Sequence, residues 1–274
     1  MSGKGRLVLD DIVRVYRSGG SLFGGKTVVR AVDGVSITLE PGVTLGIVGE
    51  SGSGKSTLGR IAAGIESSTS GNVTLDGKPY ARMGSALWRR ERRGVQMIFQ
   101  NPSKALDPRM AIGGQIEEAM QAHGMFDAAG RKQRMGEMLA LVGLPGMGAR
   151  FSHQLSGGQQ QRAVIARALV LDPKVVICDE AVSALDVSVQ AQIINLLNDL
   201  KARFGIGYLF ISHDLGVVRH ISDRIAVMRK GVIVEAGPAA EIFANPQHEY
   251  TRSLLAAVPA ATPAERRARE RLIA

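Results

Sequence analysis

The chain has 274 residues, 45% of them hydrophobic, enough for one sizeable α/β domain with a small subdomain. Thirty-four Lys and Arg against 25 Asp and Glu give a net charge of +9, which suits nucleic acid, an anionic membrane face or a nucleotide polyanion without choosing among them. Cys178 is the only cysteine, which excludes an intrachain disulfide and a cysteine-based metal cluster and reads as a small buried hydrophobe. The start, Met1-Ser2-Gly3-Lys4-Gly5-Arg6, lacks the apolar core of a signal peptide, and no stretch reaches the ~18 uncharged apolar residues of a spanning helix. The expectation is a cytosolic chain that meets a membrane only by docking to something that spans it.

In chain order, Leu7 to Tyr16, Ala31 to Leu39, Val43 to Val48 and Val73 to Leu75 read as strands, with Gly-rich breaks at Ser18 to Gly25 and at Pro41-Gly42. Val95 to Phe99, Lys174 to Cys178 and Gly207 to Ile211 are uninterrupted apolar runs, the kind buried on both faces of a parallel sheet. Between the first two of these, Asn101 to Arg150 has no strand signal and reads as two helices, Ile112 to His123 and Arg131 to Val142, separated by Gly124 and Gly130. This makes a helical insert over about 101–157 of an α/β unit spanning 7–257. Between the last two, Val187 to Phe204 carries Val189, Ile193, Leu196, Leu197 and Leu200 at helical spacing, completing a βαβ unit. Arg224 to Met228 and Val232 to Val234 form a hairpin around Lys230-Gly231, and a charged tail over 258–274 opens on the capping box Thr262-Pro263-Ala264-Glu265. There is no internal repeat.

The chemistry begins where the third strand ends. Gly49-Glu50-Ser51-Gly52-Ser53-Gly54-Lys55-Ser56-Thr57 is a strand–turn–helix phosphate loop: glycines let backbone N–H groups converge on phosphate oxygens, the helix start adds positive potential, Lys55 reaches the terminal phosphates and Ser56 can hold magnesium. Asp179-Glu180 follows the Val175 to Cys178 run, and ligands of open parallel sheets gather beyond the carboxyl ends of strands. Asp179 suits a magnesium role and Glu180 that of general base for an attacking water. Two more strands end on polar groups, Gln100 and Ser212-His213-Asp214, with Asp214 placed to cap the next helix. Leu155-Ser156-Gly157-Gly158-Gln159 fits an S-x-x-Q capping box whose bare glycines leave the helix start open to a phosphate. In isolation that segment reads first as an ordinary capped helix.

Taken together, GESGSGKST at Gly49 to Thr57, LSGGQQQR at Leu155 to Arg162, VVICDEAVSALD at Val175 to Asp186 and ISHD at Ile211 to Asp214 resemble the ATP-binding-cassette (ABC) ATPases in order and spacing across nearly the whole chain. The resemblance implies a P-loop NTPase core with a mainly parallel sheet, an N-terminal antiparallel β region and an inserted helical subdomain. It implies ATP and magnesium as ligands, with Ser56, Asp179 and Gln100 at the metal. It further implies Glu180, His213 and Gln100 as catalytic residues and Tyr16 stacking on adenine. Leu155, Ser156, Gly157, Gly158 and Gln159 would cap the γ-phosphate in trans, and Ser183, Ala184, Leu185 and Asp186 would cross a dimer interface.

Within the family the peptide and nickel importers are most similar. Val29 to Ser36, Gln100-Asn101-Pro102 with Leu106 to Arg109, Asp179 to Asp186, and Asn245 to Leu255 look like that branch, with Glu249 standing where it usually has proline. The branch implies a second ATPase subunit, paralogue or self copy, two integral membrane permeases and an extracytoplasmic solute-binding protein, at the cytoplasmic face of the inner membrane. The rival is a nucleic-acid-associated cassette ATPase, which the basic charge allows. Such proteins need a large insert between phosphate loop and signature, and here the insert is short, so nucleic acid is not the expected partner. The basic runs at Arg89 to Arg93 and Arg266 to Arg269 then read as solvated surface.

Overall fold

The computed structural model describes residues 5–18 and 27–257; the 258–274 tail with its capping box, and most of the break after the first strand, lie outside the described residues. Ten strands and ten α-helices follow in the order β1 (Leu7–Ser18), β2 (Thr27–Leu39), β3 (Thr44–Val48), α1 (Lys55–Ala62), β4 (Ser70–Leu75), β5 (Lys78–Pro79), α2 (Ala86–Glu91), β6 (Val95–Ile98), α3 (Pro102–Ala105), α4 (Ile112–Ala122) and α5 (Ala128–Leu141). They continue with α6 (Gly157–Leu169), β7 (Val175–Asp179), α7 (Val187–Phe204), β8 (Gly207–Ile211), α8 (Leu215–Ile221), β9 (Arg224–Arg229), β10 (Val232–Pro238), α9 (Ala239–Ala244) and α10 (Glu249–Ala256).

The strands make two sheets. One is antiparallel, in the order β2-β1-β4-β5; the other runs β10-β9-β3-β8-β7-β6, parallel throughout except for the β10 edge. The pleat explains the uninterrupted apolar runs of the second sheet. Val175, Ile177, Leu209 and Ile211 point to one face and pack with Leu7, Leu9, Ile12, Val35, Leu58 and Ile61 from the antiparallel sheet and α1. Val176, Cys178, Tyr208 and Phe210 point to the other and pack with Ile112, Ile116, Leu139, Ile165, Ile193 and Leu197 from the helices. Successive side chains of a strand alternate in direction, so a strand covered on both sides must be apolar at every position.

Helices α3, α4 and α5 lie between β6 and α6, where the sequence predicts a helical insert. Two details differ from expectation. Gly130 does not separate two helices but sits inside α5, because the Asp127 side chain accepts from the Gly130 N–H at 2.8 Å and starts the helix there. The one-turn α3 is capped in the same way, with Asn101 Oδ1 accepting from Ser103 N at 3.0 Å and Pro102 at the first position. Strands β1, β2, β4, β9 and β10 also run further than the apolar pattern alone predicts. β1 does so through irregular pairing around Asp11, which takes a positive φ of 48°.

Candidate active site

Strand order turns residues that are far apart in sequence into neighbours. Moving across the sheet from β3 to β8, β7 and β6, the carboxyl ends carry the phosphate loop, His213, the Asp179-Glu180 pair and Gln100. That row of four is the candidate active site.

The phosphate loop is shaped by backbone that only glycine adopts freely. Gly52 and Gly54 have φ of 78° and 103°, and a Cβ on Gly54 would stand 2.0 Å from the Ala31 carbonyl oxygen. Gly49 is confined just as closely, since a Cβ there would lie 2.0 Å from the Met228 carbonyl oxygen. Glu50, Ser51 and Gly52 are exposed at the rim while Ser53 and Lys55 are buried. Lys55 Nζ donates to the carbonyl oxygens of Gly49 and Glu50, each at 2.7 Å, and to Ser53 Oγ at 3.3 Å. A buried ammonium ion resting on neutral acceptors is under-compensated: desolvation pulls its pKa down, against the opposing pull of Glu180, Asp179 and Glu50. A polyanion at this position would supply the missing charge.

Ser56 Oγ donates to Asp179 Oδ1 at 2.8 Å, joining the helix after β3 to the end of β7. The Asp179 carboxyl sits above the usual carboxylate range because burial desolvates it; the Ser56 bond opposes this and the Glu180 charge adds to it. Glu180 has φ of 51°, left-handed backbone for a residue with a long side chain, and its N–H donates to the Ile211 carbonyl at 2.9 Å. Both oxygens of its side chain are engaged. Oε1 lies 3.1 Å from His213 Nδ1, and Oε2 accepts from Gln100 Nε2 at 2.9 Å. Gln100 Nε2 also donates to Ser183 Oγ at 3.2 Å, so the segment after Glu180 is tied to the same amide. Asp214 caps α8, accepting from Gly216 N at 2.8 Å and Val217 N at 3.2 Å.

The Ser156–Gln159 capping box forms as the spacing requires: Ser156 Oγ accepts from Gln159 N at 3.3 Å and Gln159 Oε1 accepts from Ser156 N at 3.0 Å. Its glycines also have an intrachain packing reason. A Cβ on Gly158 would fall 2.6 Å from Val189 Cγ1, and one on Gly157 3.5 Å from Leu185 Cδ2, so the start of α6 nestles against the Ser183 to Asp186 segment and α7. Leu155 is buried beside this turn.

Tyr16 stands at the edge of the site, 36% exposed. The Arg14 guanidinium lies over its ring at 4.7 Å, and its hydroxyl donates to Glu66 at 2.5 Å and faces Thr57 Oγ1 at 3.5 Å. Glu66 also accepts from Arg14 and Arg60, and these bonds hold its carboxyl low against the opposing effect of burial. Sequence reasoning missed this cluster, although the charge pattern of three such residues near an aromatic was there to read. It also missed Ser103, whose Oγ donates to Gln160 Oε1 at 2.8 Å and links the Gln100 segment to α6.

Comparison with known proteins places this arrangement. Residues 32–183 match the "ABC transporter" family model, and residues 234–273 match that described as "Oligopeptide/dipeptide transporter, C-terminal region". A Brucella abortus protein named as a peptide import ATP-binding protein is 52% identical over 254 residues, covering 92% of this chain and 76% of its own length. The glutathione import ATP-binding protein of Escherichia coli strain K12 is 52% identical over 240 residues, which are 87% of this chain and 38% of that one. Among solved structures, a dimeric ATP-binding cassette bound to ADP and Pi in a post-hydrolysis state superposes with a TM-score of 0.73 at 27% identity, covering 85% of this chain and 98% of that one. A cassette from Clostridium perfringens, part of an ABC transporter complex, gives 0.75 at 26% identity over 89% and 92% of the two chains. Sequence order, sheet topology and the row of strand ends thus agree with the comparisons, and the chain belongs to the ABC transporter family of ATPases.

Proposed function

We propose that this chain hydrolyses ATP to drive uptake of a peptide or a related small solute, working at the cytoplasmic face of the membrane beside two separate permease subunits and a solute-binding protein. The family, the C-terminal region match and the names of the relatives at about 52% identity support the importer reading. No helix among the described residues is long and apolar enough to cross a membrane. We divide the chain into one nucleotide-binding unit, 7–257, with a helical insert at 101–157. A paralogue or a second copy would supply the opposing signature.

One observation carries the reading. The phosphate loop, Asp179, Glu180, His213 and Gln100 stand on adjacent strand ends, bonded Ser56 to Asp179 and Gln100 to Glu180 to His213. In the assigned mechanism, Lys55 and the amides opening α1 bind the β- and γ-phosphates. Glu180 accepts a proton from the attacking water, whose oxygen bonds to the γ-phosphorus as the bond to the ADP oxygen breaks. His213 holds the Glu180 carboxylate in position, and Gln100 links it to the helical insert. Leu155, Ser156, Gly157, Gly158 and Gln159 act on the partner's nucleotide, with Ser183, Ala184, Leu185 and Asp186 crossing between subunits. Tyr16 is assigned to stack on adenine.

Magnesium fits the residues present. Ser56 Oγ and Asp179 are hard oxygen donors side by side, and the desolvated Asp179 carboxyl gains from a cation. Gln100 is assigned to the same neighbourhood. When bound, the ion supplies neutralisation of the phosphate charge.

Calorimetric titration of the full chain with MgATP tests the reading. Lys55→Ala should weaken binding by about tenfold or more, a loss of about 1.4 kcal/mol; unchanged binding would overturn the phosphate-loop assignment. Hydrolysis strongly stimulated by duplex DNA would replace the importer with the nucleic-acid rival.

A further inference from the structure

The phosphate loop is gripped from outside by a residue of the C-terminal region. Glu50 N–H donates to the Tyr250 hydroxyl at 3.1 Å, across 200 residues of sequence. Tyr250 is 5% exposed. Its ring is covered by the Arg229 guanidinium at 4.7 Å, and Arg229 closes the strand whose Met228 carbonyl abuts Gly49.

The segment that delivers Tyr250 is itself anchored. Glu235 on β10 accepts from Gln247 N at 2.8 Å and from His248 N at 3.1 Å, and His248 Nδ1 accepts from Tyr250 N at 3.0 Å to cap α10. A second support comes from the β9–β10 turn, where Gly231 N donates to the Ser53 carbonyl at 2.9 Å.

We propose that Tyr250 is a positioning residue for nucleotide: its hydroxyl fixes the Glu50 peptide so that Lys55 and the loop amides converge on the phosphates. The proposal rests on the ATPase reading above. Its logic lies in the two ends of the Glu50 residue. The carbonyl is held by Lys55 at 2.7 Å and the N–H by Tyr250. When Lys55 leaves for a phosphate, the carbonyl loses its side-chain partner while the N–H keeps its own. Without Tyr250, the Glu50 peptide would be held only at its carbonyl, by Lys55 and by Ser53 N at 3.2 Å, and binding nucleotide would remove the first of these. The C-terminal region thereby contributes to the ATP site, which the sequence motifs place entirely upstream of it.

Tyr250→Phe removes the oxygen and keeps the ring under Arg229. Titrating the full-length variant with MgATP well below its unfolding midpoint, we expect a dissociation constant about 3- to 10-fold above wild type, the range of one net hydrogen bond. A role confined to stability would lower the melting temperature and leave the dissociation constant unchanged, and that result overturns the proposal. Failure of the wild-type chain to bind MgATP would instead count against the ATPase reading. Should Tyr250→Phe not fold, Arg229→Met at an exposed position frees the ring; affinity about twofold weaker or more supports the clamp, and unchanged affinity overturns it.

Discussion

Glu180→Gln separates geometry from basicity at this site. In the structure each carboxylate oxygen has its own partner, His213 Nδ1 at 3.1 Å and Gln100 Nε2 at 2.9 Å. Glutamine can turn its carbonyl oxygen to Gln100 and its NH2 to His213, whose Nδ1 accepts in the tautomer protonated at Nε2. Both contacts therefore survive the substitution. The neighbouring Asp179 carboxyl, raised by desolvation and further by the Glu180 charge, moves back toward its ordinary range, while Lys55 loses a charge that opposes its desolvation, so folding stability at neutral pH should change little. What disappears is the proton acceptor. A positioned general base is worth about 10²–10⁴ in rate, so turnover should fall by about 100-fold or more, at least about 2.7 kcal/mol of barrier. The dissociation constant for MgATP should stay within about threefold, and an ATP-held dimer should accumulate. Phosphate release, calorimetry and size-exclusion chromatography with ATP read the three quantities. Hydrolysis within about threefold of wild type would remove Glu180 from the base role.

Three further outcomes follow from packing and electrostatics. Gly54→Ala forces a Cβ to 2.0 Å from the Ala31 carbonyl at a φ of 103°, so the melting temperature should drop by more than about 8 °C, beyond what about 1–2 kcal/mol of left-handed strain explains alone, and MgATP binding should be lost. Asp76 accepts from Gly5 N at 2.6 Å and pairs with Lys174; burial raises its pKa, but these bonds outweigh burial and hold it below the unfolded value. Its contribution is present above about pH 4 and lost as pH falls through the lowered folded value, so Asp76→Asn should lower the denaturant midpoint at pH 7, and the gap to wild type should narrow as pH falls below about 4. Cys178, fully buried with its thiol pushed up to about 12, should not react with a thiol reagent at pH 8 in the native protein and should react with one equivalent once unfolded; native reactivity would refute the burial.

What was legible in the sequence was local. The Ser156–Gln159 box and the Asp214 cap act within a few residues of themselves and stand as their spacing predicts, as does the strand, turn and helix start around Gly49 to Lys55. The two-faced strands were equally legible, because burial on both sides writes itself into every position of β7 and β8. Contacts between distant segments were not. Nothing local tells that β3 lies between β8 and β9, that Ser103 reaches Gln160, or that Glu50 meets a tyrosine 200 residues away. At Gly130 a local signal was outranked by another: glycine read as a break, while the carboxylate of Asp127 three residues earlier began a helix through it.

The backbone at Glu180 sets a tension on how this position can vary. Left-handed φ is easy for Gly and mild for Asn, and costs a long side chain about 1 kcal/mol or more. Selection for stability alone would drift residue 180 toward those two. On the mechanism proposed above, a demand for turnover keeps a glutamate in so unfavourable a twist. A lineage relieved of that demand would gain robustness by surrendering this residue first, while its folded shape and its grip on nucleotide stayed as they were.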